Sequence, residues 1–158
     1  MKILVISDSH GNKDAIINAV KLEKPELVLH LGDHDKDCQI LVSDFPGLPY
    51  RTVRGNCDWH SEELDTDTFR IGDKLIFMTH GHLYRVKTGI SQIISIAVSR
   101  GADILLFGHT HETYGNKSIG LTTINPGSIG MGAKTYAVLK IETGAFEYEI
   151  KRLPLAKG

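Results

Sequence analysis

Cysteine is scarce in this chain. Its 158 residues include only Cys38 and Cys57, far apart and in no CxxC spacing, which excludes a disulfide-built scaffold. Long apolar runs are missing too, so no stretch of sequence is suited to span a bilayer. The opening "MKILVISDSH" carries one lysine and an apolar run too short for a signal peptide. Cytoplasmic residence follows as the default. Nor is there an excess of one charge: 18 Lys and Arg face 19 Asp and Glu, for a formal net charge of −1. That balance argues against a partner as polyanionic as long nucleic acid, while leaving room for a local basic pocket. Repeats, low-complexity tracts and Pro/Ser/Gly linkers are also lacking, so the expectation is a single domain over residues 1–158.

What is present is a regular series of apolar runs. "KILVIS" and "LVLHL" read as buried strands, "YRTVR" as a third, and "TFRIGDKLIFMT" as a hairpin turning at Gly72-Asp73. Asn12 suits the N-cap of a helix over "KDAIINAVKLE", whose pattern ends at Pro25. A shorter helix is expected over roughly Asp37 to Ser43. "ISQIISIAVSR" is a second long helix closed by Gly101, followed by the strand "DILLF". "GLTTINPGS", "TYAVLKIETG" and "AFEYEIKRL" then alternate like strands. A βαβ-like first part and a mostly β last third predict an α/β (mixed α+β) fold with helices packed on mixed sheets, not a purely parallel doubly wound one.

The chemistry lies where the strands end. "KILVIS" delivers Asp8-Ser9-His10, "LVLHL" delivers Gly32-Asp33, and "YRTVR" delivers Gly55-Asn56-Cys57-Asp58. "KLIFMT" leads to His80-Gly81-His82, and "DILLF" to Gly108-His109-Thr110-His111. Sites in α/β sheets form outside the carboxyl ends of strands, where loops converge on a rigid frame. In extended backbone, residues i and i+2 point the same way, so Asp8 with His10, and His109 with His111, would each face one point. Glycines at four of the five junctions would let the loops approach one another. Two carboxylates so confined would raise a pKa, and crowded imidazoles would resist protonation, unless a cation balanced them. Imidazole, carboxylate and amide donors without a required thiolate suit Mn, Fe, Ni, Co or Zn better than Ca or Mg. The donors are too numerous for one ion with an open position. They suit two ions sharing a carboxylate, an arrangement fitted to in-line displacement at phosphorus. Spacing alone does not choose between His80 and His82.

Taken together, "DSH", "GD", "GNCD", "HGH" and "GHTH", in that order and each at a strand end, resemble the calcineurin-like metallophosphoesterase superfamily. "INPGS" is typical of its small prokaryotic members, and the short chain is most similar to the YfcE-type phosphodiesterases. The resemblance implies two β-sheets packed face to face and flanked by helices, an αββα sandwich. It also implies a ligand set. Asp8, His10 and His111 would hold one metal, Asn56, His80 and His109 the other, and Asp33 would bridge. The activity implied is hydrolysis of small phosphodiesters by a two-metal-activated hydroxide, with Mn foremost among the cofactors and Ni, Fe, Co or Zn as alternatives. One position departs from the family's common "GNHD". Cys57 stands where a histidine usually assists the leaving oxygen, so it is read either as an active-site group or as packing.

Other polar residues have simpler readings. His30 is expected as a hydrogen-bonded core group beside the ligands. His34 and His60 read as solvated loop histidines, Asp35 and Asp37 as surface or helix N-terminal charges, and Asn12 as a cap. Tyr84, Arg85 and Lys87 follow the His80 loop within reach of a phosphate. Competing activities are a phosphomonoesterase, a nuclease and a non-catalytic scaffold resembling the retromer scaffold subunit. A monoester calls for more cationic contacts than the sequence concentrates anywhere, a nuclease calls for a basic surface, and a scaffold has no use for seven intact donors. The expected partner is a small phosphoester, with no membrane and no long nucleic acid. A homo-oligomer is compatible with the sequence.

Overall fold

The computed structural model of the chain describes residues 1–118 and 120–155. Ten strands form two five-stranded sheets. The first has the order β10-β9-β1-β2-β3, with β1 (Lys2–Ile6), β2 (Leu27–His30) and β3 (Tyr50–Thr52) parallel, β9 (Thr135–Glu142) antiparallel to β1, and β10 (Ala145–Arg152) antiparallel to β9. The second has the order β4-β5-β6-β8-β7. There β5 (Lys74–Thr79), β6 (Ile104–Leu106) and β8 (Leu121–Pro126) are parallel, and β4 (Thr66–Ile71) and β7 (Thr113–Ser118) are antiparallel edges. Both sheets are therefore mixed, as expected.

Strand periodicity explains the layering. Alternate residues of β1 point to opposite faces. Ile3 and Val5 pack against Ile76, Met78, Ile104 and Leu106 of the other sheet, forming the layer between the sheets. Leu4 and Ile6 turn outward onto Ile16, Ala19 and Val20 of α1 (Lys13–Glu23). The second sheet repeats the device: Phe77 and Leu105 face Ile93 and Ala97 of α3 (Ser91–Ser99). Because neither face of β1 or of the β5–β6 centre meets water, these strands read as continuous apolar runs. The result is an αββα sandwich.

The local signals are visible in the elements. Asn12 caps α1 by accepting the Ala15 N–H at 3.1 Å. The hairpin turns at Gly72 with a φ of 59°. Gly101, at a φ of 72°, closes α3 by donating to Val98. The short helix begins earlier than expected, as a 3-10 turn over Asp35–Gln39 that runs into α2 (Ile40–Asp44). One strand was not foreseen: β7, in which most residues are exposed. No helix among the described residues is long and apolar enough to cross a membrane.

Candidate metal centre

The five donor-bearing loops follow β1, β2, β3, β5 and β6, each paired in parallel within its sheet, and their ends bring the donors together. Two groups of donors result. In the first, Asp8, His10, Asp33 and His111 bring one ligand atom each to within 4.8 Å of one another. Asp8 Oδ1 lies 3.1 Å from His111 Nε2 and 3.8 Å from His10 Nε2, which is 3.3 Å from His111 Nε2. In the second, His80 Nε2 lies 3.5 Å from Asp33 Oδ2 and 3.1 Å from His109 Nδ1. Asn56 Oδ1 faces the same His80 nitrogen at 3.1 Å. Asp33 belongs to both groups.

The donors fit a cation. Donors held roughly 2.0–2.2 Å from a common ion lie about 3–3.6 Å apart, close to the 3.1–3.8 Å separations measured within the groups. His80 supplies the sharper test. Its Nδ1 meets the Leu31 carbonyl at 2.8 Å and so must carry the proton. With Nδ1–H committed to Leu31, Nε2 faces the oxygens of Asn56 and Asp33, where it can carry a proton, as the raised pKa of the ring favours, or turn its lone pair to a metal ion. Such a cluster of acceptors calls for positive charge at its centre.

The electrostatics follow from the same crowding. Burial alone would raise the Asp33 carboxyl, but His80 and the Cys57 N–H, which donates to Asp33 Oδ1 at 2.9 Å, hold it below the usual carboxylate range. The expected upward shift is therefore not seen at Asp33, because the hydrogen bonds and the charge of His80 outweigh burial. Burial opposes a charged His80, yet Asp33 and Asp8 raise that imidazole above its ordinary value. His109 carries the cost, pushed down to about 4 by burial and then by His80 and Lys87.

The backbone differs from the sequence reading. Asp8 and His10, like His109 and His111, do not share a face through extended backbone. All four have positive φ, of 53°, 46°, 71° and 61°. Asp33 adopts 61°. Asp and His are among the side chains that tolerate the left-handed region, and such strain collects at functional sites. Alternate left-handed turns, not a strand, aim these side chains together. Close approach also demands glycine. A Cβ on Gly55 would stand 2.2 Å from Asp33 Oδ1, and one on Gly108 would stand 2.1 Å from Ser7 Oγ.

Groups around the donors fix them. Asp58 accepts N–H bonds from Asp33, His34, Asp35 and Gly55 at 2.9, 2.7, 3.2 and 2.7 Å, binding the β2 and β3 loops to each other. Its role was not foreseen, although "GNCD" pointed to it. Asp35 and Asp37 stand in the first turn of the 3-10 helix, as the helix N-terminal reading had it, but they are buried and not surface charges. Asp37 Oδ2 accepts Ser9 Oγ–H at 2.7 Å and Gly11 N–H at 2.8 Å, while Asp35 accepts the Ser61 hydroxyl. Loop carboxylates become buried here because donors arrive from other loops. His30 behaves as read from sequence. Its Nδ1 accepts the Gly32 N–H at 3.0 Å and its Nε2 faces Ser9 Oγ at 2.8 Å, while burial keeps it neutral with a pKa of about 4. In "INPGS", Asn125 donates to Gly108 O and Thr110 Oγ1, and Ser128 donates to Asp8 O, so this segment braces two donor loops.

The remaining candidates fall as follows. His82, left open beside His80, is outside both donor groups, and its Nδ1 is buried without a hydrogen-bond partner among the described residues. Cys57 is exposed, and burial of its thiol together with Asp33 pushes its pKa up. His34 and His60 are exposed, with the His34 ring 5.2 Å from that of His10. Tyr84 packs toward α3, and Arg85 is exposed.

Known proteins agree with this architecture. The sequence matches the calcineurin-like phosphoesterase superfamily domain over residues 1–144. It is 35% identical over 152 residues to the probable metallophosphoesterase YsnB of Bacillus subtilis, covering 92% of this chain and 87% of that one. It is 29% identical over 147 residues to phosphodiesterase MJ0936 of Methanocaldococcus jannaschii, covering 80% and 83%. The crystal structure of a conserved protein of Streptococcus pneumoniae TIGR4, a predicted phosphoesterase, superposes with a TM-score of 0.78 at 26% identity, covering 96% of this chain and 88% of that one. With the family's domain spanning nearly all of its length, the chain belongs to the calcineurin-like phosphoesterase superfamily.

Proposed function

We propose that this metallophosphoesterase hydrolyses small phosphodiesters with two divalent transition-metal ions, manganese foremost. One ion would be held by Asp8, His10 and His111, the other by Asn56, His80 and His109, with Asp33 shared. The observation that carries this reading is the meeting of the two donor groups at Asp33. Bound there, the ions would supply Lewis acidity, lowering the pKa of water and offsetting charge on the phosphoryl oxygens.

The chain's own residues do the rest. His80 is held in one tautomer by the Leu31 carbonyl, which keeps Nε2 free as a donor. Ser7 and the His109 N–H bond Asp8 Oδ2, leaving Oδ1 turned to His111. Asp58 fixes the separation of the Asp33 and Asn56 loops. No imidazole stands at Cys57, so departure of the leaving alcohol is the step least assisted by side chains. Diesters are favoured over monoesters because the sequence concentrates no cluster of Arg and Lys beside the donor motifs to take the extra negative charge, and one relative bears the name phosphodiesterase.

The test is elemental analysis of the purified protein, followed by assays on chromogenic mono- and diesters with Mn, Ni, Zn and Mg added. Two ions per chain and faster turnover of diesters are expected. Metal-loaded protein inert toward every phosphoester would overturn the reading in favour of a scaffold.

A further inference from the structure

Three imidazoles crowd the second donor group. The ring centres of His80 and His109 lie 4.9 Å apart, and that of His82 lies 5.4 Å from the first and 6.2 Å from the second. His80 is engaged through both nitrogens, with Leu31 on one side and with Asn56 and His109 on the other. His82 differs: its Nδ1 is buried without a hydrogen-bond partner among the described residues. A lone buried polar atom in a folded core calls for an explanation. Nothing in the chemistry above uses this one.

A loose loop does not account for it. His82 opens a single 3-10 turn, His82–Tyr84, closed by the Tyr84 N–H on the Gly81 carbonyl at 3.0 Å. Gly81 takes a φ of 106°, and a Cβ there would stand 3.0 Å from Val86 Cγ2. Val86 and Tyr84 in turn pack in the cluster of Phe77, Ile93 and Ala97. The core therefore pins the turn from behind and holds the histidine ring beside the donors.

The place of the proton follows from burial. A neutral imidazole has one N–H and one lone pair. An unpaired N–H is the rarer and costlier group to bury, so Nδ1 keeps the lone pair and Nε2 carries the proton. With Nδ1 inside and the residue only partly buried, the accessible part of the ring is the far edge, which bears Nε2. His82 thus offers an N–H within one ring's width of His80 and His109. A protonated nitrogen cannot ligate an ion. It suits an anionic oxygen, and a phosphoryl oxygen brought to the donor groups is such an acceptor. We infer that His82 contacts substrate, its Nε2–H donating to a phosphoryl oxygen of the bound ester on the His80–His109 side of the centre. The site gains there an imidazole donor that Cys57 does not provide. This role rests on the two-metal hydrolase reading, but the contact is testable by binding alone.

The test uses protein loaded with zinc and carrying isotope-labelled histidine, the His82 signals being assigned by their absence from His82→Gln. Proton–nitrogen correlation spectra at neutral pH are expected to show Nδ1 bare and Nε2 protonated. Titration with inorganic phosphate or dimethyl phosphate should shift the Nε2 resonances saturably. By calorimetry His82→Leu should weaken binding of both about 10- to 100-fold, with a similar fall in kcat/KM for a chromogenic diester. Elemental analysis should still find the parent's metal content, and His82→Gln, which keeps an N–H, should recover part of the loss. Metal lost from His82→Leu would overturn the inference and make the residue a ligand. Unchanged phosphate binding in folded, zinc-loaded His82→Leu would reduce it to packing. If that variant does not fold, the parent decides: a proton on Nδ1, or His82 signals blind to both phosphates, would overturn the inference. A saturable response in a protein that hydrolyses no phosphoester would keep the contact and sink the hydrolase reading instead.

Discussion

The Asp58 carboxylate accepts the backbone N–H of Asp33 at 2.9 Å. The same carboxylate holds Gly55 at 2.7 Å on its own loop, so the shared carboxylate of Asp33 and the amide of Asn56 are set relative to each other by a residue that belongs to neither donor group. Removing it frees four N–H groups across two loops at once. Asp58→Ala should lower metal affinity about 10–100-fold, the usual effect of losing a group that orients ligands, and Asp58→Asn should lie between. Calorimetric titration with Mn checks this. Unaltered affinity in the alanine variant would show that the loops hold their geometry without the clasp.

Glu23 gives a prediction remote from the metal centre. It is buried, accepts the Tyr136 hydroxyl at 2.7 Å and pairs with Lys2 at 2.9 Å and Lys151 at 3.0 Å. Burial alone would raise its carboxyl, but these partners bring it down to about 2 from an ordinary 4.5. A folded-state pKa below the unfolded one stabilises the fold fully above pH 4.5, and that stability is lost as pH falls from 4.5 toward about 2. The contribution at neutral pH is on the order of 3 kcal/mol. Glu23→Gln should cost roughly 1–3 kcal/mol at pH 7, and the gap to the parent protein should narrow steadily in urea denaturation below pH 4.5. A gap independent of pH would remove the carboxylate's charge from the explanation.

How far sequence led differs from residue to residue. Leu4, Ile16 and Phe77 sit in apolar runs whose period declares their faces, and Asn12 marks its helix start chemically, so β1, α1 and the β5–β6 centre were legible. The donors were legible for a related reason: a buried strand that ends in Asp or His has no packing motive for those residues. Local cues gave out where distant groups decide. Asp37 looks like a surface charge until Ser9 and Gly11 arrive from the β1 loop to bury it. The i, i+2 pairing of Asp8 with His10 suggested extended backbone, but a left-handed turn produces the same convergence. β7 runs through Gly115, Asn116 and Lys117, poor strand formers held by pairing with β8.

Asp33→Asn tests whether one carboxylate serves two ions. Two ions at one carboxylate would both lose a negative ligand, so metal content and turnover should fall together, while His109→Ala should weaken the second group alone. Elemental analysis after dialysis at graded Mn concentrations separates the cases. Asp33→Asn with full metal content and full activity would end the two-ion description. A scaffold would also differ, since its binding role would survive His109→Ala unchanged.

The last prediction concerns Cys57. Its N–H donates to Asp33 Oδ1, so the residue is held at the metal centre whatever its side chain does. The thiol carries no positive charge to stabilise phosphoryl oxygens, and it is a weak hydrogen-bond donor. Leaving alcohols of low pKa, such as nitrophenol, need little protonation and should depart readily. Alkoxides should depart slowly unless another group assists, and His60, exposed on the same loop, is the side chain positioned to be tested for that role. General acid assistance is typically worth ~10²–10⁴-fold. Cys57→His should therefore raise turnover mainly for diesters with poor leaving groups, flattening the dependence of log kcat/KM on leaving-group pKa. The measurement is that slope in the parent protein, in Cys57→His and in His60→Ala. Equal slopes for the parent and Cys57→His would show that this position takes no part in departure. A steeper slope in His60→Ala would assign the assistance to His60 instead.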